Sequence, residues 1–268
     1  MAEDQTVQKK KPFWKRIPGA LGRAHHKASQ ELDQSLPLLQ HLNELRRRMF
    51  KAFLAVVAGT GVSALFAEQI IDYLARPLGG SEALVSIEVT ENIAIFMRVS
   101  LLGGLVLGMP VVVYQILRFV LPGLRQNEKI WLYLGVPFAS LMFAGGVAFT
   151  WFVMIPAAVP FLTEFLDITT QVRPQNYFEF ITKLMLWIGL SFEMPLIAFL
   201  LAKIGVVTAG QLARGWRYAM VGISLLAATI TPTVDPVNMG LVMLPLLGLY
   251  LFSIVLAWAA RRSENGTV

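Results

Sequence analysis

An all-helical integral membrane protein with six transmembrane helices and both termini in the cytoplasm is what this sequence predicts. Three observations lead there. Apolar residues make up 56% of the chain and charged residues only 15%, poorer in charge than the quarter usual in soluble domains, and the mean hydropathy is +0.60. Those apolar residues gather in uninterrupted runs of about 20, the length a helix rising 1.5 Å per residue needs to cross roughly 30 Å of hydrocarbon. Lysines and arginines, finally, are shared very unequally between the connecting segments.

The chain opens with a polar, basic arm, residues 1–36, that lacks an apolar core and so predicts no cleavable secretory signal. Spans are expected at about 49–67, 93–118, 131–153, 180–202, 217–230 and 238–259, inside a membrane domain of 37–260 followed by a short tail, 261–268. The fifth run has about 14 residues and reaches only ~21 Å, so the bilayer thins there or that helix fails to cross it fully. Trp131, Trp151, Trp216 and Trp258 fall at expected span ends, where an amphipathic ring prefers to lie.

Orientation follows from the cations. Residues 1–51 carry eleven Lys or Arg, 118–130 three, 203–217 three, and the tail after 259 two. The opposite loops hold only Arg76 and Arg173, with Arg98 and Lys183 inside spans near that face. This asymmetry places both termini in the cytoplasm, and it makes the net charge of +6 an insertion signature and a preference for the membrane surface rather than a nucleic-acid footprint.

Of the two long external loops, the first, about 68–92, carries Glu68, Asp72, Glu82, Glu88 and Glu91 around the break Arg76-Pro77-Leu78-Gly79-Gly80. In the second, PAAVPFLTEFLD places Val159, Leu162, Phe165 and Leu166 on one helical face against Glu164 and Asp167, which predicts an interfacial helix on the outer leaflet.

Several chemistries can be excluded by residue type. There is no cysteine, hence no disulfide or thiolate metal site, and His25, His26 and His41 all precede the first span, so no intramembrane serine has a histidine base. No H-E-x-x-H or G-K-[ST] sequence occurs, so neither zinc hydrolysis nor a P-loop is expected, and no cofactor or metal is predicted. A non-enzymatic membrane protein that binds or moves something remains.

The polar exceptions to the apolar background mark where. LLQHLNELRRRMFKAF, Leu38 to Phe53, and YQILRFVLPGLRQNEK, Tyr114 to Lys129, each place one carboxylate, Glu44 and Glu128, at a membrane surface that is otherwise strongly positive. Within the fourth run, GLSFEMPLIAFLLA carries Glu193 two residues before Pro195. An ionised carboxylate facing lipid at midspan costs several kcal/mol, so Glu193 must be protonated, paired, or turned toward a wet concave surface inside the bundle. Pro195 removes a helix hydrogen bond and favours a kink there.

HLNELRRR, FVLPGLRQNE, SFEMP and TPTVDP (231–236), in that order, resemble the TatC family, the multispanning receptor subunit of the twin-arginine protein translocase. The resemblance extends over about 37–259. It implies a receptor for N-terminal signal peptides bearing an arginine pair on folded substrate proteins, driven by the proton-motive force, working with single-span TatA- and TatB-type subunits and self-associating in the bilayer of the cytoplasmic (inner) membrane. A guanidinium pair suits planar carboxylate partners, and Glu44 and Glu128 match the recognition positions, with Arg46 and Arg48 the basic positions of the first motif and Phe119 and Pro122 shaping the second. Each has a plainer reading: an i,i+4 pair with Arg48 for Glu44, a solvated loop charge for Glu128, positive-inside anchors for the arginines, and a helix stop for Pro122. Glu193 matches an intramembrane polar position, and Pro77 and Asp235 match external-face positions, Asp235 being equally an ordinary turn residue before Pro236.

Two competing readings remain. Arg47 to Lys51, RRMFK, followed by an apolar run, itself resembles a twin-arginine signal peptide, but five further spans speak against a secreted substrate. A stand-alone proton-coupled small-solute transporter using Glu193 as proton carrier is the alternative from another class; inverted repeats would favour it, and the sequence shows none. Gly104-x-x-x-Gly108 and Gly145-Gly146 are expected to be close helix-packing points.

Overall fold

The computed structural model describes residues 19–80, 84–120, 129–163, 172–231 and 236–262, and every regular element among them is helical. The chain divides into two compact units, Met1–Met49 and Phe50–Val268. Helix α1, Gly19–Leu65, contributes to both.

Five helical stretches are long and apolar enough to cross a membrane: His41–Leu65, Glu91–Phe119, Leu134–Phe161, Pro174–Lys203 and Pro236–Ala260. They coincide with five of the six runs expected from sequence. The remaining run is helix α9, Trp216–Ile230, whose 15 residues rise only about 22 Å.

In the second unit, the end of α1 turns at Phe66 into the short α2, Ala67–Ala75, and a single 3-10 turn, Arg76–Leu78, follows. Pro77 lies in the first turn of that element, where its missing N–H costs nothing. Gly79 and Gly80, at φ +94° and +98°, then reverse the chain through a backbone region closed to most side chains. Helix α3, Glu91–Val120, packs against α4, Lys129–Phe149, and both pack against α6, Pro174–Ser191. Helix α7, Met194–Lys203, lies along α10, Pro236–Arg262, which also contacts α9. Between α7 and α9, Thr208 and Gln211 form a reciprocal capping box that starts the short α8, Ala209–Arg214.

The span Pro174–Lys203 is the hub, since 44% of its most apolar window is buried, more than in any of the other four. Its Phe178, Ile181, Leu184 and Ile188 are almost wholly enclosed by Val99 of α3, Met154 and Ile155, Ile230 of α9 and Leu246 of α10. Burying side chains of this size stabilises by about 1.5–3 kcal/mol each in water; in lipid, where hydrocarbon surrounds the free helix as well, close packing carries more of the association.

The third span differs from expectation. It does not end near residue 153 but continues through a π-helical turn, Thr150–Met154, into α5, Ile155–Thr163. Pro156 supplies no N–H and its ring crowds the carbonyl of Phe152, and the wider π turn absorbs that conflict without stopping the helix. The stretch read as the start of an interfacial helix is thus the end of this span, and Val159, expected at the membrane surface, is packed into the core. Residues 164–167, the rest of that expected element, lie outside the described residues.

Candidate functional site

Glu44 and Arg48 are one helical turn apart on α1, so their side chains share a face. Arg48 Nε donates to Glu44 Oε1 at 3.0 Å, and Arg48 Nη2 reaches the same oxygen. The guanidinium side is 15% exposed and the carboxylate side 39%, so the open part of this pair is the acid. Arg46 and Arg47 are exposed. Phe119, in the last turn of α3, is half-buried. One residue earlier, Arg118 lies over the Tyr114 ring and donates to its hydroxyl at 3.2 Å, a cation where the helix dipole favours one. Pro122 and Glu128 lie outside the described residues.

Glu193 occupies a break in the fourth span. Phe192 and Glu193 form a turn between α6 and α7; the Glu193 amide donates to Leu190, three residues back, and Pro195 in the first turn of α7 has no amide to offer. The side chain is buried, and its Oε1 has no hydrogen-bond partner. Beside it, Gly146 of α4 approaches the Gly189 backbone and the Phe192 ring so closely that a Cβ there would stand 2.8 and 2.9 Å from them. An apolar groove of about 380 Å³ between α6, α7, α9 and α10 includes Ser191 and Met194 in its wall, but Glu193 is not among its lining residues.

A tightly bonded cap, which sequence reading missed, joins the opposite ends of α2, α3 and α6. Glu91, read above as a loop charge, is completely buried. Its Oε2 accepts from the Ile87 amide at 2.9 Å and from Ser86 Oγ at 3.0 Å, and its Oε1 accepts from Arg173 Nε. Arg173 Nη2 also meets Glu88 Oε1 at 2.6 Å. Hydrogen bonding to Glu91 first, then to Glu88, holds the Arg173 proton even more firmly than in free arginine. Nearby, Tyr177 donates to the Leu74 carbonyl at 2.8 Å and Trp151 Nε1 to Tyr73 Oη at 2.9 Å, with the Arg76 guanidinium over the Tyr73 ring. Pro77 follows Arg76 at the rim of this cap; Asp235 lies outside the described residues. The only sequence sign of the cap was an arginine, Arg173, in a loop otherwise poor in cations.

A second ion cluster is nearer mid-helix. Arg98 of α3 pairs with Glu179 of α6 at 2.9 Å, and Lys183, one turn on, pairs with the same carboxylate at 2.5 Å. Among the described residues, no three His, Cys, Asp or Glu side chains gather as a metal site would require. Chemically, then, these polar residues can bind, orient and latch.

Comparison with known proteins agrees with this picture. The family model described as Sec-independent protein translocase protein (TatC) matches residues 40–245. The Sec-independent protein translocase protein TatC of Deinococcus radiodurans is 37% identical over 235 residues, covering 83% of this chain and 86% of the relative. The chloroplastic TATC protein of Arabidopsis thaliana is 38% identical over 223 residues, 82% of this chain and 65% of that one. A crystal structure of the twin-arginine translocase receptor TatC superposes with a TM-score of 0.74 at 33% identity, over 82% of this chain and 99% of the solved one.

Proposed function

This chain belongs to the TatC family of Sec-independent protein translocase subunits, and from that membership we propose that it is the receptor and core subunit of a twin-arginine export system. The observation that carries the reading is the match of sequence and fold together over most of the chain. The proposed placement is in the cytoplasmic membrane with six spans, α9 counted as a short fifth, and both termini cytoplasmic; the distribution of lysine and arginine supports it. Single-span TatA- and TatB-type subunits, and further copies of this chain, are the proposed partners.

In this reading the signal peptide's arginine pair is recognised by Glu44 and Glu128. Glu44 is suited to the task because it is held on a helix, partly open, and already accepts from one guanidinium. An incoming arginine replaces Arg48 at little expense, since an i,i+4 pair stabilises a helix by only about 0.3–0.5 kcal/mol, whereas hydrogen bonds to a charged group contribute roughly 1.5–3 kcal/mol. Arg46, exposed on another face of the helix, remains at the membrane surface as a positive-inside anchor. Phe119 and Pro122 shape the segment that presents Glu128. Glu193 is a polar point within the bundle for an inserting signal hairpin or a partner helix, with the proton-motive force as the energy source. Small-solute transport through Glu193 has no support beyond that residue's burial.

The test is binding of a twin-arginine signal peptide to the purified protein in nanodiscs, against a twin-lysine peptide and against Glu44→Ala, Glu128→Ala and Arg48→Gln variants. Each glutamate change and the lysine peptide should weaken binding by at least about 1 kcal/mol. Arg48→Gln should leave binding equal or up to about twofold tighter, because only a weak resident pair is lost. Equal binding by the glutamate variants and wild type would remove this recognition mechanism.

A further inference from the structure

Arg98, Glu179 and Lys183 form a cluster apart from both the Glu44–Arg48 pair and the Glu91–Arg173 cap. Two cations share one carboxylate, which leaves a local excess of one positive charge. Arg98 lies seven residues past the start of α3 and Lys183 nine past the start of α6, on the order of 10–14 Å along each helix. The three side chains are 35%, 33% and 49% exposed, on a surface that is otherwise apolar: Met97 and Leu101 on α3, and Trp187 and Leu190 on α6, are exposed around them. A net charge at that depth on an open apolar face is unfavourable unless its head meets an anion at the membrane interface, and long basic side chains reach for one.

The same strip of helix supplies a seat for a hydrocarbon chain. Positions 183, 187 and 190 follow one another at helical spacing on α6, and Trp187 and Leu190, with Met194 just past the break, form one wall of the 380 Å³ groove whose other wall includes Ile223 of α9 and Leu246 of α10. A site for a head group and a site for a tail are thus contiguous. We propose that Arg98 and Lys183 bind the phosphate of an anionic phospholipid in the leaflet at the α2 end of the bundle, with one acyl chain in the groove beside Trp187. Arginine offers a fork of donors and lysine a point charge, a combination suited to a tetrahedral oxyanion. Glu179 holds the two cations together and competes with the guest. A zwitterionic lipid brings its own cation against Arg98 and Lys183 and loses most of the advantage. This inference needs only the membrane placement and is independent of signal-peptide recognition.

The experiment is native mass spectrometry of the full chain in detergent, titrated separately with dioleoyl phosphatidylglycerol, dioleoyl phosphatidylcholine and inorganic phosphate. Phosphatidylglycerol should bind about fivefold more tightly than phosphatidylcholine, the effect of one basic residue at a membrane surface. Lys183→Gln, a half-exposed change that leaves the fold intact, and Arg98→Gln should each remove that preference, while Glu179→Gln should increase it. Leu190→Trp, which fills the groove, should weaken the dioleoyl lipid but not a dihexanoyl analogue. An unchanged preference in Lys183→Gln, or equal retention of the two dioleoyl lipids, overturns the head-group site. Saturation by inorganic phosphate at the concentrations that suffice for the lipid reassigns the cluster to free phosphate and overturns the lipid, and a groove variant that weakens long and short chains alike overturns the acyl seat.

Discussion

Replacing Gly104 by alanine tests how closely α1 and α3 approach. A Cβ built there would stand 2.2 Å from Thr60 Oγ1, 2.4 Å from Thr60 N and 2.5 Å from Thr60 Cα. Two of those three atoms belong to the α1 backbone, so no rotamer change relieves the clash. Ordinary contact begins near 3.4 Å, which requires the helices to part by roughly 1 Å at a point where their association depends on close packing. Overpacking of this kind costs about 1–3 kcal/mol, and alanine's better helix propensity returns up to about 1 kcal/mol. A net loss of up to about 2 kcal/mol follows, or a fall in Tm of up to about 8 °C by the usual scaling for chains of this size. Two internal controls grade the effect. Gly108→Ala meets Val56 at 3.2–3.3 Å and should change Tm little, whereas Gly61→Ala meets nothing within 4 Å and should be neutral or slightly stabilising. Scanning fluorimetry of the purified variants in one detergent at one heating rate reads the order. Thr60→Ala placed on Gly104→Ala should restore only part of the loss, because the backbone atoms remain. Gly104→Ala melting at or above Gly61→Ala would refute the close approach.

Two further outcomes can be checked with the same preparation. Arg173→Ala should lower Tm more than Glu88→Ala, because the first leaves buried Glu91 without its cation while the second removes a carboxylate that is 59% exposed; equal losses would place Glu91 outside the cap's stability. Glu193→Leu should raise Tm relative to wild type or leave it unchanged, since it removes a buried oxygen with no partner, yet it should abolish export of a twin-arginine reporter protein, and full export by that variant would deny Glu193 a role in transport.

The helices were legible because each depends on a signal confined to one stretch of chain. Uninterrupted apolar runs located the five long helices and the short α9, and Pro195 after Glu193 marked the break between α6 and α7. The glycine pairs were informative at three of their four positions: Gly104, Gly108 and Gly146 are close-packing points, but Gly145 faces open space, since neighbouring positions on a helix point about 100° apart and composition does not say which one meets a partner. Glu91 was out of reach for a different reason. Its partner Arg173 is 82 residues away, and no periodicity in either segment records that the folded chain brings them together. The π turn was missed because Pro156 reads equally as a helix end or as a strain that a wider turn accommodates.

The two kinds of polar contact in this protein differ in a way that separates stability from recognition. At the cap, hydrogen bonds and ion pairs run between elements distant in sequence, Glu91 to Arg173, Tyr177 to Leu74 and Trp151 to Tyr73. Each can form only when α2, α3, the π turn and α6 are assembled, so each contributes to the fold, and removing one partner exposes or orphans the other. Glu44 and Arg48 instead meet within one helical turn, and that pair survives wherever α1 stays helical. Its loss costs the fold a few tenths of a kcal/mol at most. A carboxylate held in this way is oriented by its own helix, and this pair can exchange its guanidinium at little expense. Changes at Glu44 should therefore alter peptide affinity at constant Tm, and changes at Arg173 should alter Tm in the absence of any peptide. A Glu44→Ala protein that lost both together would show that the α1 pair is a structural contact, and recognition of the arginine pair would have to be sought on other residues.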